Sequence, residues 1–178
     1  MSKKSQRPRK TACAAGELKI ILQWYRFNTA ARERYLKTLL QLPKEERLRD
    51  RGASFSSLQE IFVHILDAYQ WWFHCIARND SKNHRDLPAR EMSPAEIRAA
   101  VRNVNKLVSG FINSLSEKDL GRCLAANYCD DNGKTRQIKI LVRDMVWHMV
   151  EEELQHRGEL NALMWQTGAE PPICSWNR

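Results

Sequence analysis

The chain has no apolar run approaching the length that crosses a bilayer, so a transmembrane helix is not expected. Behind the start Met-Ser-Lys-Lys-Ser-Gln-Arg-Pro-Arg-Lys there is no apolar segment of the kind that forms the core of a secretory signal. Its five cysteines, Cys13, Cys75, Cys123, Cys129 and Cys174, are scattered, odd in number and never spaced as CxxC. That argues against a disulfide scaffold or an all-cysteine zinc site and for free thiols in a reducing compartment, so the cytoplasm is expected. No repeat of fixed period is present. Acid is missing from residues 1–12, which hold Lys3, Lys4, Arg7, Arg9 and Lys10. Taking those five charges from the net +8 leaves +3, so the basic character belongs largely to a tail, expected to be disordered over 1–13. The aromatic residues follow helical core patterns and do not interleave with that charge, so nucleic acid is not an expected partner.

What is present is a globular composition, 43% hydrophobic and 28% charged over 178 residues. That length suits one domain, expected over 14–178, with a core that needs no staples. Leu18, Ile21, Leu22, Tyr25, Leu36, Leu39 and Leu40 recur at helical spacing and predict a helix from about Gly16 to Leu42, stopped by Pro43. The charged run 44–51 follows. Ser57 with Glu60, or Ser56 with Gln59, fits a capping box for a second helix to about Ala77, apolar almost all round. Residues 78–92 read as a polar loop. Ser93-Pro94-Ala95-Glu96 is a helix start with an N-cap, a proline at the first position and a closing glutamate. The third helix runs on through Leu115. Asp130-Asp131-Asn132-Gly133 signals a turn with short extended pieces beside it. A last helix is predicted from about Ile138 to Gln166, with Gly168 just past its end. The expected fold is therefore all-α, a four-helix bundle with a short irregular or hairpin segment before the last long helix.

The segment that carries chemistry is His148 through Leu160. His148, Glu152 and His156 fall at i, i+4 and i+8 and share one helix face. Each step of four rises about 6 Å, which sets His148 and His156 about 12 Å apart. Metal–ligand bonds are roughly 2 Å long, so one ion can take His148/Glu152 or Glu152/His156 but not all three. A third ligand must come from a facing helix. His64, between Val63 and Ile65, is the obvious candidate, because an unpartnered imidazole is costly to bury there. His74 lies ten residues on, and His84 falls in the polar loop, where solvent exposure is expected. A histidine on an apolar helix is more often hydrogen-bonded core than a ligand. Three consecutive glutamates, here Glu151 to Glu153, are usually a solvated face.

Three stretches carry a family resemblance: Trp24-Tyr25-Arg26-Phe27-Asn28-Thr29-Ala30-Ala31, then Ser57 through Ala68 followed by Trp71-Trp72, then His148 through Leu160 ending in His156-Arg157-Gly158-Glu159-Leu160. In these the chain resembles the DinB/YfiT-like family of helical-bundle metalloproteins over roughly residues 16–172. The resemblance implies a metal held by one histidine of the second helix and two ligands four residues apart on the last, here His64, Glu152 and His156. Glu152 stands where many members have histidine, and Gln155 where a further histidine is common. A carboxylate oxygen also binds zinc and other divalent ions, so ligation is preserved while the charge of the site changes. His148 matches a position outside the ligand set, behind the ligands or lining the pocket. Asp67, three residues after His64, could orient a ligand, and Trp71 could wall the pocket or simply pack. Gly158 is expected to permit close helix approach and Arg157 to make a structural ion pair.

The implied function is metal-dependent catalysis. A divalent ion, zinc or nickel before iron or manganese, would activate a thiol or water as nucleophile in a transferase or hydrolase. The substrate would be a small molecule and the cofactors would include a low-molecular-weight thiol where the reaction is thiol-dependent. A homodimer is the expected assembly. The alternative is a non-catalytic, metal-stabilised, stress-associated interaction module.

Overall fold

The computed structural model describes residues 16–129 and 132–175, so the basic tail expected over 1–13 lies outside the described residues. The elements run α1 (Glu17–Gln41), α2 (Lys44–Leu48), α3 (Leu58–Gln70), α4 (Pro94–Asn113), β1 (Cys123–Cys129), β2 (Thr135–Leu141) and α5 (Val142–Gln166). The four long helices form a bundle, with α3 against α5 and α4 and with α1 against α4 and α5.

Local chemistry accounts for the helix ends. Leu42 precedes Pro43 and takes an extended ψ of 143°, as the proline ring demands of its neighbour, and α1 stops there. The charged stretch after it winds one short helix, α2, which no periodicity announces. Ser57 caps α3 by accepting from the Glu60 backbone N–H. Ser93 and Glu96 cap α4 reciprocally, with Pro94 opening the helix. Gly168, just past α5, sits at a φ of +75°, a left-handed position that suits glycine.

Helix continues beyond Gln70, but as a π-turn over Trp71–Ile76, which buries Phe73, Cys75 and Ile76. Such widened turns re-aim side chains and often sit near functional sites. The loop that follows contains a 3-10 turn over Ser81–Asn83. A second 3-10 turn, Glu117–Gly121, leads from α4 to the hairpin.

The start of the last helix differs from the sequence reading. Residues 138–141 are strand, paired antiparallel with β1 in the register Cys123↔Leu141 to Cys129↔Thr135. Ile138 and Ile140 alternate with polar residues and lie opposite Ala126 and Leu124, so the period is two until Val142. Val142 then donates to the Arg122 carbonyl at 2.9 Å, fixing the turn from sheet into α5.

The core takes Ile21, Leu39, Ile61, Phe62, Leu66, Phe73, Val104, Met145, Met149 and Leu160, all at most 1% exposed. Each such side chain contributes about 1.5–3 kcal/mol on burial. Two polar features cross it. Tyr25 donates to the Val146 carbonyl at 2.9 Å, tying α1 to α5. Arg32 pairs with Glu153 at 2.7 Å with both side chains at most 2% exposed. Gly158 does not mark a close approach, since nothing stands within 4 Å of where its Cβ would be. Among the described residues no helix is long and apolar enough to cross a membrane.

Candidate metal centre

Two helices build the centre. On α3, the Ser57 cap sets the phase that sends Val63 and Ile65 inward and leaves His64 half-buried at the seam with α5. On α5, Glu152 and His156 stand one turn apart on the side that meets α3. Glu152 Oε1 lies 3.2 Å from His64 Nε2 and 3.1 Å from His156 Nε2. One ligand atom from each of the three residues falls within 4.8 Å of the others.

The surroundings set the protonation. His156 Nδ1 is 3.1 Å from Glu159 Oε2. Glu159 is itself held by the Ser54 backbone N–H at 2.8 Å and the Ser54 hydroxyl at 2.7 Å. Burial alone would raise the Glu159 carboxyl, but the bonds from Ser54 and contact with His156 outweigh it and hold the pKa below its ordinary value. An ionised Glu159 can only accept, so His156 carries its proton on Nδ1. In the neutral ring, Nε2 is then a bare lone pair facing another acceptor, Glu152 Oε1. Burial pushes the His64 pKa down, with its bond to Glu152 pulling the other way, so the His64 ring favours the neutral, ligand-competent form. Two imidazole nitrogens and a carboxylate oxygen that converge at these distances can share a cation in place of a proton. Imidazole nitrogen and carboxylate oxygen are the donors that zinc and other first-row divalent ions take. The residues present therefore fit a divalent metal.

Phe55 completes the wall. Its ring stacks on His64 with centroids 4.0 Å apart and meets His156 edge-on at 5.7 Å. A cavity of about 190 Å³ opens beside the triad, lined by Phe55, Glu60, His64, Asp67 and Leu87 among others. A wider cleft of about 680 Å³, between Trp24, Trp147 and Leu154, holds no triad of ligating groups among the described residues.

The other sequence candidates separate. Asp67 lines the cavity with His64. His148 packs edge-on against Trp72 at 4.9 Å, two turns from His156, and Trp71 packs against Trp72 and Tyr128. Neither His148 nor Trp71 lines the cavity. His84, expected in solvent, has a side chain only 13% exposed and turned toward Asp67. The Arg157 guanidinium lies over the Phe27 ring at 5.1 Å, and its Nη1 has no hydrogen-bond partner among the described residues, so the expected ion pair is replaced by a cation–π contact. Sequence reasoning missed Ser54, Phe55 and Glu159. Glu159 was within reach, at i+3 from His156; nothing in the sequence marked Ser54 or Phe55.

No curated protein matches the chain. A solved DinB-like protein from Bacillus cereus is similar in fold, with a TM-score of 0.61 at 20% identity, covering 88% of this chain and 97% of that one. The family model described as the DinB family matches residues 1–178. With a four-helix bundle, a hairpin before the last helix and this match over its whole length, the chain belongs to the DinB family.

Proposed function

We propose that the chain is a metal-dependent enzyme that uses a thiol or water as nucleophile on a small-molecule substrate, with His64, Glu152 and His156 holding the divalent ion. The observation that carries the reading is Glu152 Oε1 set 3.2 and 3.1 Å from two imidazole nitrogens, one on each of two facing helices. When bound, the ion supplies Lewis acidity, which brings the pKa of a water or thiol toward neutrality. Glu159 keeps the proton of His156 on Nδ1 and so fixes which nitrogen faces the centre. Phe55 covers the face of His64 and keeps water from that side. The cavity beside the triad gives a substrate or a low-molecular-weight thiol a way in. Zinc and nickel lead as the metal, with iron and manganese compatible with the donors.

The free thiols of Cys75, Cys123 and Cys174 support a reducing compartment, the cytoplasm. The family resemblance supports a homodimer, which sedimentation would test.

The test is elemental analysis of protein purified without chelator, beside His64→Ala and Glu152→Ala/His156→Ala variants, followed by thiol-dependent substrate screens with the metal found. Metal in the parent chain, lost in both variants together with turnover while helix content survives, is the expected result. Absence of metal even after divalent ions are added overturns the reading. Metal without turnover on any thiol or hydrolytic substrate favours the non-catalytic interaction module.

A further inference from the structure

A second group of ligating side chains adjoins the cavity at Asp67, where α3 meets His84 and Asp86 of the 78–92 segment. Asp67 Oδ1 and His84 Nε2 lie 3.4 Å apart. Both atoms are shut off from solvent, and the contact between them is long for a hydrogen bond. Each has given up water for one stretched partner, which leaves room for a cation to replace the shared proton. Their separation is close to the ligand–ligand edge of a tetrahedral site, about 3.3 Å for bonds of 2.0–2.1 Å. Asp86 adds a carboxylate whose Oδ1 is 3.8 Å from His84 Nδ1, on a side chain 93% exposed and able to swing. Ligand atoms of the three residues lie within 4.8 Å of one another. Arg85, beside them in the chain, does not neutralise this charge: its guanidinium is bound to the carbonyls of Lys82 and His84.

We propose that Asp67, His84 and Asp86 form a second divalent-cation site, distinct from the His64 centre, that pins the 78–92 segment to α3. One imidazole and two carboxylates suit zinc, and the oxygen-rich set also accepts manganese. The site has a structural consequence. Leu87 and Ala89, from the same segment, wall the cavity beside His64, and the Leu87 backbone N–H bonds to the Asp67 carboxylate. A cation joining Asp67 to His84 and Asp86 therefore fixes one wall of that cavity.

The experiment is calorimetric titration of zinc into the full chain, into His64→Ala/His156→Ala, and into that double variant carrying Asp86→Asn or His84→Ala. Asp86→Asn changes an exposed side chain and leaves the fold intact; circular dichroism checks His84→Ala. The expected result is one zinc ion per chain bound by the double variant, with affinity falling at least about ten-fold on Asp86→Asn and binding lost on His84→Ala. Zinc should also slow hydrogen exchange over 78–92 in the double variant. A double variant that binds no zinc, or binding unmoved by both added substitutions, overturns the site and leaves Asp67, His84 and Asp86 as a metal-free polar cluster. The reading of the His64 centre fails separately, if the parent chain and the double variant take up the same number of ions.

Discussion

Glu152 and Glu153 are neighbours on α5 and have opposite environments. Glu153 is 1% exposed and held by true donors: Arg32 Nη2 and the Tyr69 hydroxyl both donate to its Oε2 at 2.7 Å. Glu152 is partly exposed and faces two imidazole nitrogens that need not be donors. A guanidinium is always charged and has no lone pair to give, so the Arg32–Glu153 pair is electrically closed and can hold no ion. An imidazole can be neutral and basic, so the Glu152 cluster is open to a cation. The difference teaches that a buried carboxylate is structural or ligating according to its partner, and that one residue's rotation about the helix axis chooses the partner.

The largest effect expected from breaking this comparison is on the closed side. Glu153→Ala leaves the Arg32 charge buried and alone and should cost about 3–5 kcal/mol in denaturant unfolding. Replacing the pair together, Arg32→Met with Glu153→Leu, should restore most of that loss, since a packed apolar pair needs no charge balance. On the open side, Glu152→Ala should abolish stoichiometric metal binding yet change the stability of the metal-free protein by less than about 1 kcal/mol, as read by thermal unfolding with chelator present. A large loss in the chelated protein would instead make Glu152 structural, like its neighbour. Glu159→Gln should keep the site but weaken metal affinity about 10–100-fold in chelator competition, because the His156 tautomer is no longer held by charge.

The smallest effect is a pH dependence far from both clusters. The hydroxyl of Ser93, and then its backbone N–H, bond the Glu96 carboxylate and hold its pKa below the ordinary 4.5. The folded state thus binds fewer protons than the unfolded one in that window. The contribution is present above 4.5 and is lost as pH falls through the lowered folded value. Glu96→Gln should flatten the acid limb of stability below pH 4.5 without changing metal binding.

Local chemistry made much of the fold legible. The Ser93–Glu96 start needs only four residues to state where α4 begins, and Pro43 alone ends α1. The start of α5 was misread because Ile138, Ile140, Leu141 and Val142 satisfy both a helical and an alternating pattern; pairing with Leu124 and Ala126 decides between them. At the candidate centre, the spacing leaves His148/Glu152 and Glu152/His156 open, and the cost of burying a lone imidazole marks His64 as the third ligand; the family resemblance is what selects Glu152/His156. Glu153 was hidden inside a run of three glutamates that reads as a wet face. His84 was hidden in a polar loop, since nothing local reports that the loop folds back on α3.

By itself, then, the sequence determined where α1 ends, where α3 and α4 begin, which helix faces are apolar, and that a histidine and a carboxylate share one face of the last helix. Those are matters of capping, backbone restriction and period, settled within a few residues. Only the tertiary structure decided which glutamate meets Arg32 and which meets two histidines, that Ser54 and Phe55 close around His156 and His64, and that Asp67 faces His84. These depend on how helices rotate and where loops return, which is set by packing between residues about 100 apart in the chain, as with Ser54 and Glu159.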